Sequence, residues 1–174
     1  MLYTASVHEM SKMLRNLLGW LDKAVAYAET KKFDPANLLT ARLAPDQYPL
    51  TRQIQAACDA AKFTAARLLG REAPKHPDTE TTLEELQTRV RAVLDYLSGF
   101  SAADFEGAAD RSVELPFIPG KAIKGVDYVL QMASPNFFFH ITTAYAILRH
   151  NGVDIGKRDF IGDVPLFDAP SAAN

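Results

Sequence analysis

Four histidines and one cysteine are the side chains of this 174-residue chain best suited to acid–base, metal or nucleophilic chemistry. None falls in a strong signature: the chain has no Gly-rich phosphate loop, no Cys-x-x-Cys pair, no His-Glu-x-x-His and no Gly-x-Ser-x-Gly elbow. Position must therefore separate them. His8 lies in the first turn of an amphipathic segment and His76 in a Pro-rich stretch, both read as solvated. His150 stands in the last turn of a helical pattern, where a cation suits the carbonyl end of the helix. His140 differs. It falls on the apolar stripe Ala133, Phe137, His140, Ile141, Ala144, so a helix would turn its imidazole inward, where both ring nitrogens need partners. Asn136 precedes it by one turn on the same face. Gln53 and Asp59 on one helix, and Tyr145 and Arg149 on another, complete the candidate ligand-binding cleft. Each also has a plain structural reading: Gln53 and Asp59 face water, Tyr145 packs, and Arg149 serves the helix dipole. Cys58 stands among alanines on a buried face and reads as an inert core thiol.

Helices must position these residues. From Ser6 to about Thr30 apolar residues recur at steps of three and four, and Ser6 with Glu9 forms a capping box. Lys31 to Asp46 is an ordered connector in which Leu38, Leu39 and Leu43 must pack. A second helix opens at Pro49 and runs to Gly70 with a mostly alanine face, which lets a neighbour approach closely. Thr81 with Glu84 starts a third, which Gly99 ends. Val113, Leu115 and Phe117 alternate before the Pro119-Gly120 turn and predict a short two-stranded excursion. From Gly125 the helical period returns as far as Asn151-Gly152, with a kink or restart at Ser134-Pro135. The expected fold is all-α: a four-helix bundle, one domain over residues 1–174, with a small β-hairpin in the long crossover between helices three and four and a mobile tail over about 166–174. An irregular helical domain with a hairpin is the alternative. Phe137, Phe138 and Phe139 wrap one helical turn and cannot share a core, which makes a homodimer the expected assembly.

Composition narrows the partners. With 19 basic against 21 acidic side chains, no basic field is available for a phosphate backbone, so nucleic acid is not expected. A lone cysteine, no signal-like segment and no apolar run of about 18 residues point to a cytoplasmic chain without a membrane partner.

The segment Ser134-Pro135-Asn136-Phe137-Phe138-Phe139-His140, the run Thr142 to Val153, and Gly156-Lys157-Arg158-Asp159 resemble the bacterial domain of unknown function 1993 family. Leu43-Ala44-Pro45-Asp46, Arg52-Gln53 and Leu68-Leu69-Gly70 extend the likeness over nearly the whole chain. That family is similar to the DinB-like and YfiT-like superfamily, which implies a four-helix bundle, often dimeric. Many DinB-like members bind a divalent metal through three histidines, one on helix two and a pair four apart on helix four. Some are thiol-dependent transferases or isomerases. His140, Arg149 and Gly152 reproduce the spacing of the second paired histidine, an arginine nine residues later and a glycine three beyond it. The other ligand positions hold Asn136 and one of Gln53, Gln55 or Ala56. Amide oxygens are weak ligands for transition ions, so the resemblance carries over the fold and the cleft but no metal and no assigned cofactor.

Two functions follow as expectations. One is a small-molecule site lined by Asn136, His140 and Tyr145, with a degenerate metal site and with His140 as acid, base or orienting donor. The other is a non-catalytic dimeric bundle with a structural or stress-related role, and a thiol-dependent transfer stands as superfamily analogy alone.

Overall fold

The computed structural model describes residues 1–115 and 117–169. Four long helical stretches dominate: α1 (Glu9–Lys31), α3 (Leu50–Leu69), α4 (Leu83–Ser98), and a final stretch in which α5 (Gly125–Tyr128) passes through a π turn (Val129–Ala133) into α6 (Ser134–His150). The short α2 (Ala36–Leu39) sits in the connector, and α7 (Lys157–Ile161) follows α6. α3 packs on α6 and α4, while α1 packs on α4, α6 and α7. One apolar cluster runs from Val7 to Ile155, with Trp20, Tyr128 and Phe137 the largest fully buried side chains.

Two helix starts differ from the sequence expectation. Ser6 does not cap: the helix begins at Leu2 and passes through a π turn, Thr4–His8, within which the Ser6 hydroxyl donates to the Leu2 carbonyl (2.6 Å). The capping box of α4 lies one residue later than Thr81–Glu84. The Thr82 hydroxyl accepts from Glu85 N–H (3.1 Å), and the Glu85 carboxylate accepts from Thr82 N–H (3.2 Å). Pro49 is the N-cap of α3, and Gly70 closes that helix in the left-handed region. In the connector Leu38 and Leu39 are buried, but Leu43 is 45% exposed.

The crossover carries the expected hairpin, β1 (Ser112–Glu114) antiparallel to β2 (Ala122–Lys124), with Val113 opposite Ile123. Val113 and Leu115 turn into the core, whereas Phe117 is exposed. The interruption at Ser134-Pro135 takes the form of the π turn. There Ser134 N–H reaches back five residues to the Val129 carbonyl, so the ladder widens just before Pro135, whose ring would otherwise press on the preceding turn. Beyond α6, the Trp20 indole donates to the Asp159 carbonyl (3.0 Å) and stacks on Phe160, which ties α7 to α1. Leu166 and Phe167 are exposed, and residues 170–174 of the expected tail lie outside those described. Among the described residues no helix is long and apolar enough to cross a membrane.

Candidate functional site

A cleft of about 360 Å³ runs along α3 where it faces α5, the π turn and α6. On α3 the residues Arg52, Ala56, Asp59, Ala60, Phe63 and Arg67 recur at steps of three and four, which brings them onto one face. Across from them stand Tyr128, Met132, Ala133, Asn136 and His140. The alanines keep the floor low, while Phe63, Tyr128 and Met132 form apolar walls.

His140 anchors one end. Its Nδ1 lies 2.8 Å from the Gln53 side-chain oxygen, and the Gln53 amide nitrogen donates to the Tyr48 carbonyl (3.1 Å). Gln53 is fully buried. The Tyr48 carbonyl only accepts, so the amide must point its nitrogen there and its oxygen at His140. The ring therefore carries its proton on Nδ1, and in the neutral form Nε2 keeps a lone pair. Half-burial, reinforced by the positive field of Arg52, holds the His140 pKa below the usual histidine range. At neutral pH the ring is an uncharged acceptor with Nε2 unpaired among the described residues.

A charge network backs the cleft. Asp59 accepts from the buried Lys62 (2.8 Å) and the buried Arg89 (2.9 Å), and Arg89 also meets Asp78 (3.0 Å) and Glu80 (2.9 Å). Arg52 pairs with Asp78. Burial pushes the Glu80 carboxyl up, but hydrogen bonds from Arg89 and Gln55 outweigh it, and the net shift is downward. His76 is not merely solvated: it accepts from Lys62 Nζ (3.1 Å), and burial together with Lys62 lowers its pKa.

The structure brings Asn136, His140 and Asp59 to one cleft, with Gln53 behind His140. Asn136 is exposed at its rim. Tyr145 and Arg149 lie elsewhere, because positions five and nine residues beyond His140 are rotated roughly 140° and 180° around the helix. Tyr145 packs edge-on to Trp20 and Phe160, and Arg149 reaches Asp154 and the Val153 carbonyl. Arg52 and Arg67 line the cleft unforeseen; their signal was the spacing of 52, 56, 59, 63 and 67 on one helical face. Cys58 is buried, and burial pushes its thiol up to about 12.

A divalent transition ion does not fit these side chains. His140 is flanked by a neutral amide and the Arg52 guanidinium, a donor set that suits no transition ion. Among the described residues no group of three or more His, Cys, Asp or Glu side chains is arranged to hold a metal.

No curated protein matches the chain. Among solved structures, a DinB family member protein from Shewanella denitrificans is 53% identical over 98% of this chain and 96% of that one, with a TM-score of 0.92. Residues 2–161 match the domain of unknown function (DUF1993). By that match and that likeness, the chain belongs to the DUF1993 family and is mostly helical in the manner of a DinB family member.

Proposed function

We propose that the cleft binds a small molecule whose polar group meets His140, within a four-helix bundle formed by α1, α3, α4 and the α5–α6 stretch. The observation that carries this is the Gln53–His140 hydrogen bond, which settles the ring proton on Nδ1 and leaves Nε2 to accept from a ligand O–H or N–H. Asn136 adds a second hydrogen-bonding group at the rim, and the apolar walls supply the burial that a small ligand needs. A small-fragment set titrated into the protein should shift the His140 ring and Gln53 side-chain amide resonances. His140→Ala should lose that binding with its helical circular dichroism unchanged; fragments that bind the variant equally well would contradict the reading.

Phe139, at 56% exposure on the outside of α6, supports pairing with a second copy of the chain. Sedimentation velocity at micromolar concentration should then give twice the 19.2 kDa chain mass, and Phe139→Asp should return the monomer. A wild-type particle of one chain mass would refute it.

A further inference from the structure

We propose that the Arg67 end of the cleft is a carboxylate-binding subsite, which makes the ligand a small carboxylic acid with an extended apolar body. This rests on the cleft being a ligand site at all. The inference begins from an imbalance around α3. Arg52, Lys62 and Arg89 are each held on carboxylates, namely Asp78, Asp59 and Glu80. Arg67 lines the same cleft and has no carboxylate within 4.0 Å among the described residues.

Its surroundings fix it in place rather than neutralise it. The Arg67 guanidinium lies over the Phe63 ring (5.0 Å) and the Tyr128 ring (6.0 Å), and one Nη donates to the Tyr128 hydroxyl (3.2 Å). The hydrogen bond to Tyr128 uses one of the five N–H donors and leaves the others for a ligand. A planar fork held by the Phe63 ring and the Tyr128 hydroxyl matches the two oxygens of a carboxylate, and ordering it in advance lowers the entropy lost on binding. Asp59, the carboxylate that lines the cleft, does not compete, because Lys62 and Arg89 already hold it.

The stretch between the two ends sets the rest of the ligand. Arg67 is fourteen residues beyond Gln53 on α3, roughly 21 Å along the helix axis. Ala56, Ala60, Phe63, Met132 and Ala133 line the interval. Asp59 also lines this strip but is held by Lys62 and Arg89, so the rest of it suits methylenes or an aromatic ring. A single guanidinium aided by one phenol favours a singly charged carboxylate over a dianionic phosphate, which wants more donors.

The test titrates octanoate, octan-1-ol and octyl phosphate into the isotopically labelled full chain, following the Arg67 side-chain Nε–H and the Gln53 amide. Octanoate should bind at least about tenfold more tightly than the alcohol, in keeping with a charge-assisted fork. Arg67→Gln should erase that preference, and Arg67→Lys, which keeps the charge without the fork, should restore only part of it. Alcohol and acid binding alike, or Arg67→Gln keeping the preference, overturns the carboxylate subsite while the cleft reading stands. Octyl phosphate binding tighter than octanoate overturns the choice of carboxylate. No probe moving the Arg67 resonance overturns the subsite; an eight-carbon chain does not span the roughly 21 Å to Gln53, so the cleft reading at His140 falls only if the small-fragment titration fails as well.

Discussion

An imidazole at a helix interface can keep its proton on either nitrogen, and its neighbours decide which. At His140 the decision is relayed: the Tyr48 carbonyl orients Gln53, and Gln53 orients the ring. The inward stripe of His140 was legible from the helical period alone. The buried Gln53 beneath it was not, because a glutamine on an alanine-rich face reads equally well as solvent-facing until the partner helix is in place. Tyr145 and Arg149 share the helix of His140, yet the angular step of that helix turns them away from it. Cys58 illustrates the opposite case, a reactive residue type made inert by place. With its thiol pushed up to about 12 by burial, native protein at pH 8 should react with a disulfide reagent at least a hundredfold more slowly than urea-unfolded protein. Equal rates would show that the thiol is accessible and ionisable.

Two glycines in helical stretches carry opposite expectations. Gly125 opens the last stretch against the crossover: its N–H donates to the Arg111 carbonyl (2.9 Å), and a Cβ there would run into the Ala108 carbonyl and approach Leu68. Gly19, in the middle of α1, has nothing within 4 Å of an added Cβ. Gly125→Ala should therefore lose about 1–3 kcal/mol in urea unfolding through overpacking. Gly19→Ala should gain about 0.5–1 kcal/mol through helix propensity. Similar effects of one sign at both sites would contradict these contacts. The long helices were legible because their apolar residues recur at the helical period, but their first residues were less so. Thr81 and Thr82, followed by Glu84 and Glu85, offer two overlapping capping boxes, and the chain uses the second. Ser6 resembles a cap in sequence but bonds back to a carbonyl inside a helix, as serine does in helix interiors.

Across the molecule, the cleft, the Arg89 network and the Pro-rich link share two histidines whose pKa values are lowered, His140 by burial and Arg52, His76 by burial and Lys62. In both, the unfolded chain takes up a proton at a higher pH than the folded one. Their stability contribution is thus complete above about pH 6.5 and is lost as pH falls below it. The melting temperature should drop between pH 7 and pH 5 by roughly 2–4 °C for each kcal/mol lost, and His140→Gln should flatten that slope. A melting temperature that rises over this interval would contradict the sign. The carboxylates contribute only at lower pH, so this window reports the histidines. None of this coupling was visible in composition, whose near balance of 19 bases and 21 acids hides a buried network of matched charges behind the cleft and an arginine in the cleft with no carboxylate beside it among the described residues. The most direct measurement is nitrogen-15 NMR of the His140 ring at pH 7 in selectively labelled protein. A neutral ring with a protonated Nδ1, a bare Nε2 and a midpoint below 6.5 is expected. A proton found on Nε2, or a midpoint above 6.5, would contradict it.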